Sequence, residues 1–214
     1  MMKRTGMLLL MAILAASAGG CSIFKWMVAV AAPPEKVKPQ YVPPKDKTVL
    51  VFVDDVRHPV DYPLIKNELT AYINQQLLAH HLAAQVIDYD RLQDLTTSTP
   101  KFHELTVHQV GQKLGADWIL YVEIEKFSLK DNNMAAFWKG RLETSVRVVD
   151  AQGKRLWPTD RTGGYMPPPV ETPSVENTSV VYGTELSRTM AGMMADRIVK
   201  LFYEYEGSAE EASQ

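Results

Sequence analysis

The sequence predicts an α/β domain on a mixed, mostly antiparallel sheet with helices packed on it, in the order β-α-β-α-β-β-β-α. Three observations predict it. Val49-Leu50-Val51-Phe52-Val53 is an unbroken apolar run, the mark of a central strand covered on both faces. From Trp118 to Val148 the hydrophobic period becomes two, as in an antiparallel hairpin. Leu186, Met190, Met193, Met194, Ile198, Leu201, Phe202 and Tyr205 then recur at helical spacing, which predicts a terminal helix with one apolar face. The chain's 214 residues, 46% of them hydrophobic, suffice for one such domain.

Residues 1–20 read as a leader. Lys3 and Arg4 give a short positive region, Met7 to Ala18 are uncharged and apolar or small, and Ser17-Ala18-Gly19-Gly20 brings small side chains up to Cys21. This is the pattern of a secretory signal peptide, and small residues directly before a cysteine resemble the lipobox of bacterial lipoproteins. That resemblance implies acylation of Cys21, the only cysteine in the chain. Two or more acyl chains anchor stably where one binds only marginally. The competing reading is an uncleaved spanning anchor over Gly6 to Phe24; Gly19-Gly20 suits a peptidase site better than a helix centre. Either reading exports the remainder, and Ser22 resembles the outer-membrane sorting pattern. Loss of Lys3 and Arg4 with the leader leaves 21 basic residues against 25 acidic. A mildly acidic protein has no field for nucleic acid or an anionic membrane surface.

Residues 21–47 read as a lipidated cysteine and a proline-rich tether. Pro33, Pro34, Pro39, Pro43 and Pro44 alternate with lysines, and polyproline geometry over residues 33–47 at ~3.1 Å per residue would hold the domain up to about 45 Å from the lipid. The domain then occupies residues 48–206. After the first strand, Tyr62-Pro63 opens a helix with Ile65, Leu69, Tyr72, Ile73 and Leu77 on one stripe. Gln85 to Tyr89 is a short strand, Asp90 to Leu95 a helical turn, and the Thr-rich stretch beyond it a loop. A helix from Thr106 carries Val107, Val110 and Leu114 inward and stops at Gly115. Asp131-Asn132-Asn133 is the hairpin turn, and Ala151-Gln152-Gly153-Lys154 turns into a third antiparallel strand, Leu156-Trp157, which Pro158 marks as an edge. Tyr165 to Ser179, with Pro167, Pro168, Pro169 and Pro173, reads as irregular, and 207–214 as a disordered acidic tail. The expected core includes Val51, Val53, Leu120, Val122, Leu142, Val146, Met190, Met194 and Leu201.

The element order, with "DYDRLQDL" after the second strand, "VGQKLGADWILYVEIEKF" into the third and "RVVDAQGKRLW" across the last turn, resembles a group of periplasmic lipoprotein domains. These are related to the curli-secretion protein CsgG, the penicillin-binding-protein activator LpoB and the amino-terminal domain of TolB. The resemblance covers residues 48–206 and implies a scaffold, activator or export component of the cell envelope. It brings no active site with it.

Candidate chemistry is sparse. Asp54-Asp55 at a strand end invites a receiver-domain reading, but the following strand runs into Glu123 and Glu125 and then a hairpin, where a receiver needs further parallel strands. His58, His80, His81, His103 and His108 contain no H-x-x-x-H pair to put two imidazoles on one helix face. No G-x-S-x-G elbow is present. The reading therefore carries no catalytic, cofactor or metal residue, and describes a non-catalytic, protein-binding lipoprotein of the envelope, an adaptor or assembly factor. An activator of a peptidoglycan synthase or other envelope enzyme, and an unrecognised periplasmic hydrolase, are the alternatives; homo-oligomerisation stays open. The candidate contact is the loop Tyr165, Met166, Pro167, Pro168, Pro169 and Val170, with Tyr121, Lys139, Arg141 and Arg147 on the adjacent hairpin face.

Overall fold

A seven-stranded sheet lies between two layers of helices. The computed structural model describes residues 35–62, 64–130, 137–177 and 179–207. The leader, Cys21, Pro63, the expected turn Asp131-Asn132-Asn133 and residues 208–214 lie outside the described residues. In chain order the elements are β1 (Glu35–Val37), β2 (Thr48–Asp54), α1 (Leu64–Ala79), β3 (Gln85–Val86), α2 (Tyr89–Ser98), a 3₁₀ turn (Phe102–Glu104) and α3 (Val107–Leu114). There follow β4 (Trp118–Lys130), β5 (Phe137–Asp150), β6 (Arg155–Trp157), β7 (Val170–Glu171), β8 (Val175–Glu176), α4 (Val180–Val199), a 3₁₀ turn (Lys200–Phe202) and β9 (Tyr205–Gly207).

The sheet order is β3-β2-β4-β5-β6. β2 is parallel to both β3 and β4, because helices carry the chain back between them; β4-β5 and β5-β6 are antiparallel. This is the mixed, mostly antiparallel sheet expected. Alternation along β2 and β4 sends Val49, Val51, Val53, Leu120 and Val122 to one face, where α1 contributes Ile65, Leu69, Ile73 and Leu77, and α4 Met190, Met194 and Ile198. Leu50, Ile119 and Tyr121 point to the other face, under Leu92 of α2 and Val110 and Leu114 of α3. Every expected core residue is buried. The second helical layer makes β4 buried from Trp118 to Ile124 without a break, although its sequence alternates as if one face were wet.

Local signals set α3. The Thr106 amide donates to Gln109 Oε1 at 2.8 Å, half of a capping box, and Gly115 ends the helix at φ 78°, a left-handed conformation cheap only for glycine. Elsewhere the structure departs from the sequence reading. β3 is two residues long, and Tyr89 opens α2 instead. That helix takes in Thr96, Thr97 and Ser98, expected in a loop; their hydroxyls donate to the carbonyls of Leu92, Gln93 and Asp94 within it and so are satisfied locally. α4 ends at Val199 and Tyr205 belongs to β9, not to the helix. Met193, assigned to the core stripe, is 40% exposed. Buried Ser187, Ala191 and Ala195 extend the covered arc to the side away from Met193, about 100° per residue apart.

The proline-rich segments also differ from expectation. The chain divides into two units, Lys38–Glu204 and a smaller one containing Glu35–Val37 and Tyr205–Gly207. In the smaller unit β1 and β9 pair antiparallel, so Gly207, expected in the tail, is strand. In the larger, the amides of Gln40 and Tyr41 donate to Leu201 O at 2.8 and 3.1 Å, Pro43 is buried, and the Tyr41 ring stacks on Trp157 and meets Phe202 edge-on. Residues 40–43 are thus docked on the domain and not extended from it. Tyr165 to Ser179 is not structureless either. Tyr165 bridges Val146, β7 pairs with Arg141 and Leu142, and β8 pairs with Phe137 and Trp138, so the segment forms a broken edge along β5. Prolines fit there because an edge strand needs ladder bonds on one side only.

Leu201 is 8% exposed and belongs to the main core. Leu201→Ala is expected to cost about 2 to 5 kcal/mol, read by denaturant unfolding; an unchanged midpoint would place the C-terminal turn outside the core.

Candidate functional site: a charge-paired cleft at the end of the sheet

β2 ends in Asp54, and the parallel register sets Asp54 beside Glu123 of β4 and Phe52 beside Tyr121. The antiparallel register sets Tyr121 opposite Arg147 of β5. Side chains of one face therefore converge where the parallel pairing stops, at the carboxyl end of β2 and the middle of β4. They line a cleft of about 350 Å³ whose opposite wall is Thr162-Gly163-Gly164. The glycine at 164 is required by close approach, since a Cβ there would lie 2.9 Å from the Val146 amide nitrogen and 3.1 Å from its carbonyl oxygen.

Glu123 is the centre of the cleft. It is 3% exposed, and a buried carboxylate requires paired charge. Arg57 supplies it with a two-pronged contact, Nε to Oε1 and Nη2 to Oε2, and Nη2 also donates to Glu125 at 3.3 Å. Hydrogen bonding to Glu123, then its charge, holds the Arg57 guanidinium above its ordinary pKa. The Tyr121 hydroxyl donates to Asp54 Oδ2 at 2.6 Å. Burial first, then the hydrogen bond to Asp54, pushes the Tyr121 phenol well up, so it stays a donor. The Arg147 guanidinium lies 4.2 Å from the centre of the Tyr121 ring, a cation–π geometry, with Nη2 3.9 Å from Glu123 Oε2. Beside the cleft, Asp55 accepts from Lys66 Nζ at 2.7 Å and from the Val60 amide at 3.1 Å. Desolvation raises the Asp55 carboxyl, but the bond from Lys66, the Val60 amide and the lysine charge together bring it below its ordinary value.

The ionisable groups of the cleft are engaged chiefly with one another. Glu123 is occupied by Arg57, Asp54 accepts from Tyr121, and the phenol is held protonated. Among the described residues no group of three or more His, Cys, Asp or Glu side chains is placed to hold a metal ion, and no helix is long and apolar enough to cross a membrane. Three of the five histidines make local contacts: His80 stacks on Tyr203 at 3.9 Å, His58 lies 3.6 Å from Glu125, and His108 Nδ1 is 3.0 Å from Thr106 Oγ1.

The structure brings together only part of the expected contact surface. Tyr121 and Arg147 are in the cleft. Arg141 lies on the same face of β5 but is engaged by Glu143 and Glu171, and Lys139 is exposed. Tyr165 and Val170 pack on the other side of the sheet, with the core of α1 and α4; the Tyr165 ring is 5.2 Å from Trp157. Met166 is exposed and Pro167 buried, while Arg197 Nη1 of α4 donates to the carbonyls of Pro168, at 2.8 Å, and Pro169. Loop and hairpin face are not one surface. Sequence reasoning missed Arg57, Gly163 and Gly164. Its available signal was Glu123, a charge between Val122 and Ile124 inside an otherwise apolar strand.

Fold and site define a three-layer α/β domain with a polar, charge-paired cleft. In fold the chain is similar to a PelC dodecamer subunit from Paraburkholderia phytofirmans, with 8% identity, a TM-score of 0.42, and 80% of this chain and 99% of that one covered. It is similar to the lipoprotein GNA1162 from Neisseria meningitidis, with 15% identity, a TM-score of 0.41, and 70% and 98% covered. It is also similar to the LpoB C-terminal domain from Salmonella enterica, with 13% identity, a TM-score of 0.32, and 61% and 83% covered. No family model matches the sequence, and no curated protein matches it.

Two outcomes follow from these contacts. The lowered Asp55 value means that the folded state binds fewer protons there than the unfolded chain. The stability it contributes is complete above the unfolded carboxylate value of about 4 and is lost as pH falls through the lower folded value. Asp55→Asn should therefore melt below wild type at pH 7, and the two melting curves should converge on acidification. Because Pro167 is buried, replacing Pro167, Pro168 and Pro169 by Gly and Ser is expected to cost about 0.4 to 1 kcal/mol per position, seen as a lower unfolding midpoint, whereas a free loop would tolerate the change.

Proposed function

We propose that this chain is a lipid-anchored protein of the bacterial cell envelope, on the periplasmic face of the outer membrane, whose domain binds protein partners as an adaptor or assembly factor and catalyses no reaction. The observation that carries the reading is the run Ser17-Ala18-Gly19-Gly20-Cys21 after an apolar segment, with Cys21 the sole thiol. Thioether acylation needs a cysteine at that point and nowhere else. The cleft supports the binding role, because its buried acid Glu123 is paired with Arg57 and its phenol is held as a donor to Asp54, while Arg147 and the backbone of Gly163 and Gly164 face the open space.

Labelled palmitate should enter the wild-type protein in cells and not Cys21→Ser, and mass spectrometry should find the mature chain beginning at Cys21. Retention of the whole leader would support the spanning anchor instead. Crosslinking in intact cells should capture an assembly of several proteins. Capture of one synthase whose isolated rate the purified protein raises would replace the adaptor by the activator.

A further inference from the structure

Arg147 differs from the other charged groups of the cleft. Its side chain is 30% exposed, stacked on Tyr121, and its nearest carboxylate oxygen, on Glu123, is 3.9 Å away and already held by Arg57. Among the described residues its guanidinium donates no hydrogen bond, although it offers five N–H groups in a fixed fork. The Tyr121 face fixes the plane of that fork, so little further ordering is needed when an acceptor arrives. Beside it, Asp54 accepts from Tyr121 and from the Asp55 amide, one bond to each oxygen, leaving each a further lone pair. An unused cationic fork and an unused acceptor thus face one space lined by backbone that carries no side chain at Gly163 and Gly164.

We propose that this cleft binds a peptide carboxylate, with Arg147 taking the carboxylate and Asp54 accepting from an adjacent amide. The charges lining the cleft, Asp54 and Glu123 against Arg57 and Arg147, balance. With no excess positive charge to draw a dianion, the match comes from shape: a planar carboxylate fits the guanidinium fork and the amide N–H beside it fits Asp54. The inference deepens the protein-binding reading, since it names the chemistry by which a partner's terminus or acidic side chain is recognised.

The test uses the full-length chain in nonionic detergent, titrated with acetyl-glycyl-glycine while the Arg147 Nε signal and the Gly163 and Gly164 amides are followed by ¹⁵N NMR. Saturable shifts with a dissociation constant on the order of 1 mM are expected. The C-terminal amide of the same peptide should leave these signals in place, and inorganic phosphate should shift them less. Arg147→Gln should abolish saturation. Arg147→Lys, which keeps the charge and loses the fork, should weaken it by about tenfold or more with the remaining amide spectrum unchanged. Equal binding of the amide, tighter binding of phosphate, undiminished binding by either variant, or no saturable shift in the wild type would each overturn the inference. Partner capture in cells is measured separately, so a chain that captures partners yet ignores the peptide loses this inference alone.

Discussion

A carboxylate in the middle of the molecule's most buried strand sets the terms for the rest of this fold. β4 is covered on both faces from Trp118 to Ile124, and Glu123 sits inside that run. Moving an ion out of water costs several kcal/mol even after relaxation, and only close pairing offsets it. Arg57 provides the pairing from a segment with no regular structure of its own. The chain after β2 is therefore held at both ends, by Arg57 on Glu123 and by Asp55 on Lys66 and the Val60 amide. This fixes where α1 starts, hence how its apolar stripe meets the sheet. The same demand creates the cleft, because the side chains that balance Glu123 cannot themselves be buried by helices.

β5 carries the second structural problem. At 14 residues it is long enough to template unwanted pairing along an uncovered edge. The chain covers it in pieces: β6 against Val148 and Val149, Tyr165 against Val146, β7 against Arg141 and Leu142, and β8 against Phe137 and Trp138. Prolines between the pieces deny the new outer edge a continuous row of amides. Arg197 fastens the middle of the segment to α4 through two proline carbonyls, and the Trp138 indole N–H donates to Asn177 O at 2.8 Å. The proline-rich run is thus an edge guard by its contacts.

What was legible in the sequence is what short-range chemistry decides. Val49 to Val53 reads as a strand with both faces covered, and Thr106 and Gly115 mark the two ends of α3. The α1 stripe was equally plain, since Ile65, Leu69, Ile73 and Leu77 repeat every four residues. Failures came where a distant partner decides. Prolines at 167–169 read as a loop because the strand they guard lies some 25 positions back in sequence. Met193 read as core because the stripe was judged by large side chains, while Ala191 and Ala195 carry much of the close packing. The cleft was half legible: Tyr121 and Arg147 were singled out as polar groups on a hairpin face, but Asp54, Arg57 and Gly164 meet them only through the parallel pairing of β2 with β4 and the return of the chain past β6.

A lipid on Cys21, as proposed, would be joined to the domain by a span shorter than residues 22–47, because part of that span is held in place. Of the span from Ser22 to Lys47, Glu35–Val37 is paired with Tyr205–Gly207 and Gln40 to Pro43 is held on the domain through Leu201, Trp157 and Phe202. Thirteen residues, Ser22 to Pro34, remain between Cys21 and the first paired residue, and full extension at ~3.5 Å per residue bounds them to about 45 Å. A freely jointed span of all 26 residues could reach twice as far. A lipid on Cys21 would therefore restrict the distance between the membrane and β1 by covalent length, and the pairing of β1 with β9 makes the C-terminal strand one of the elements that sets it.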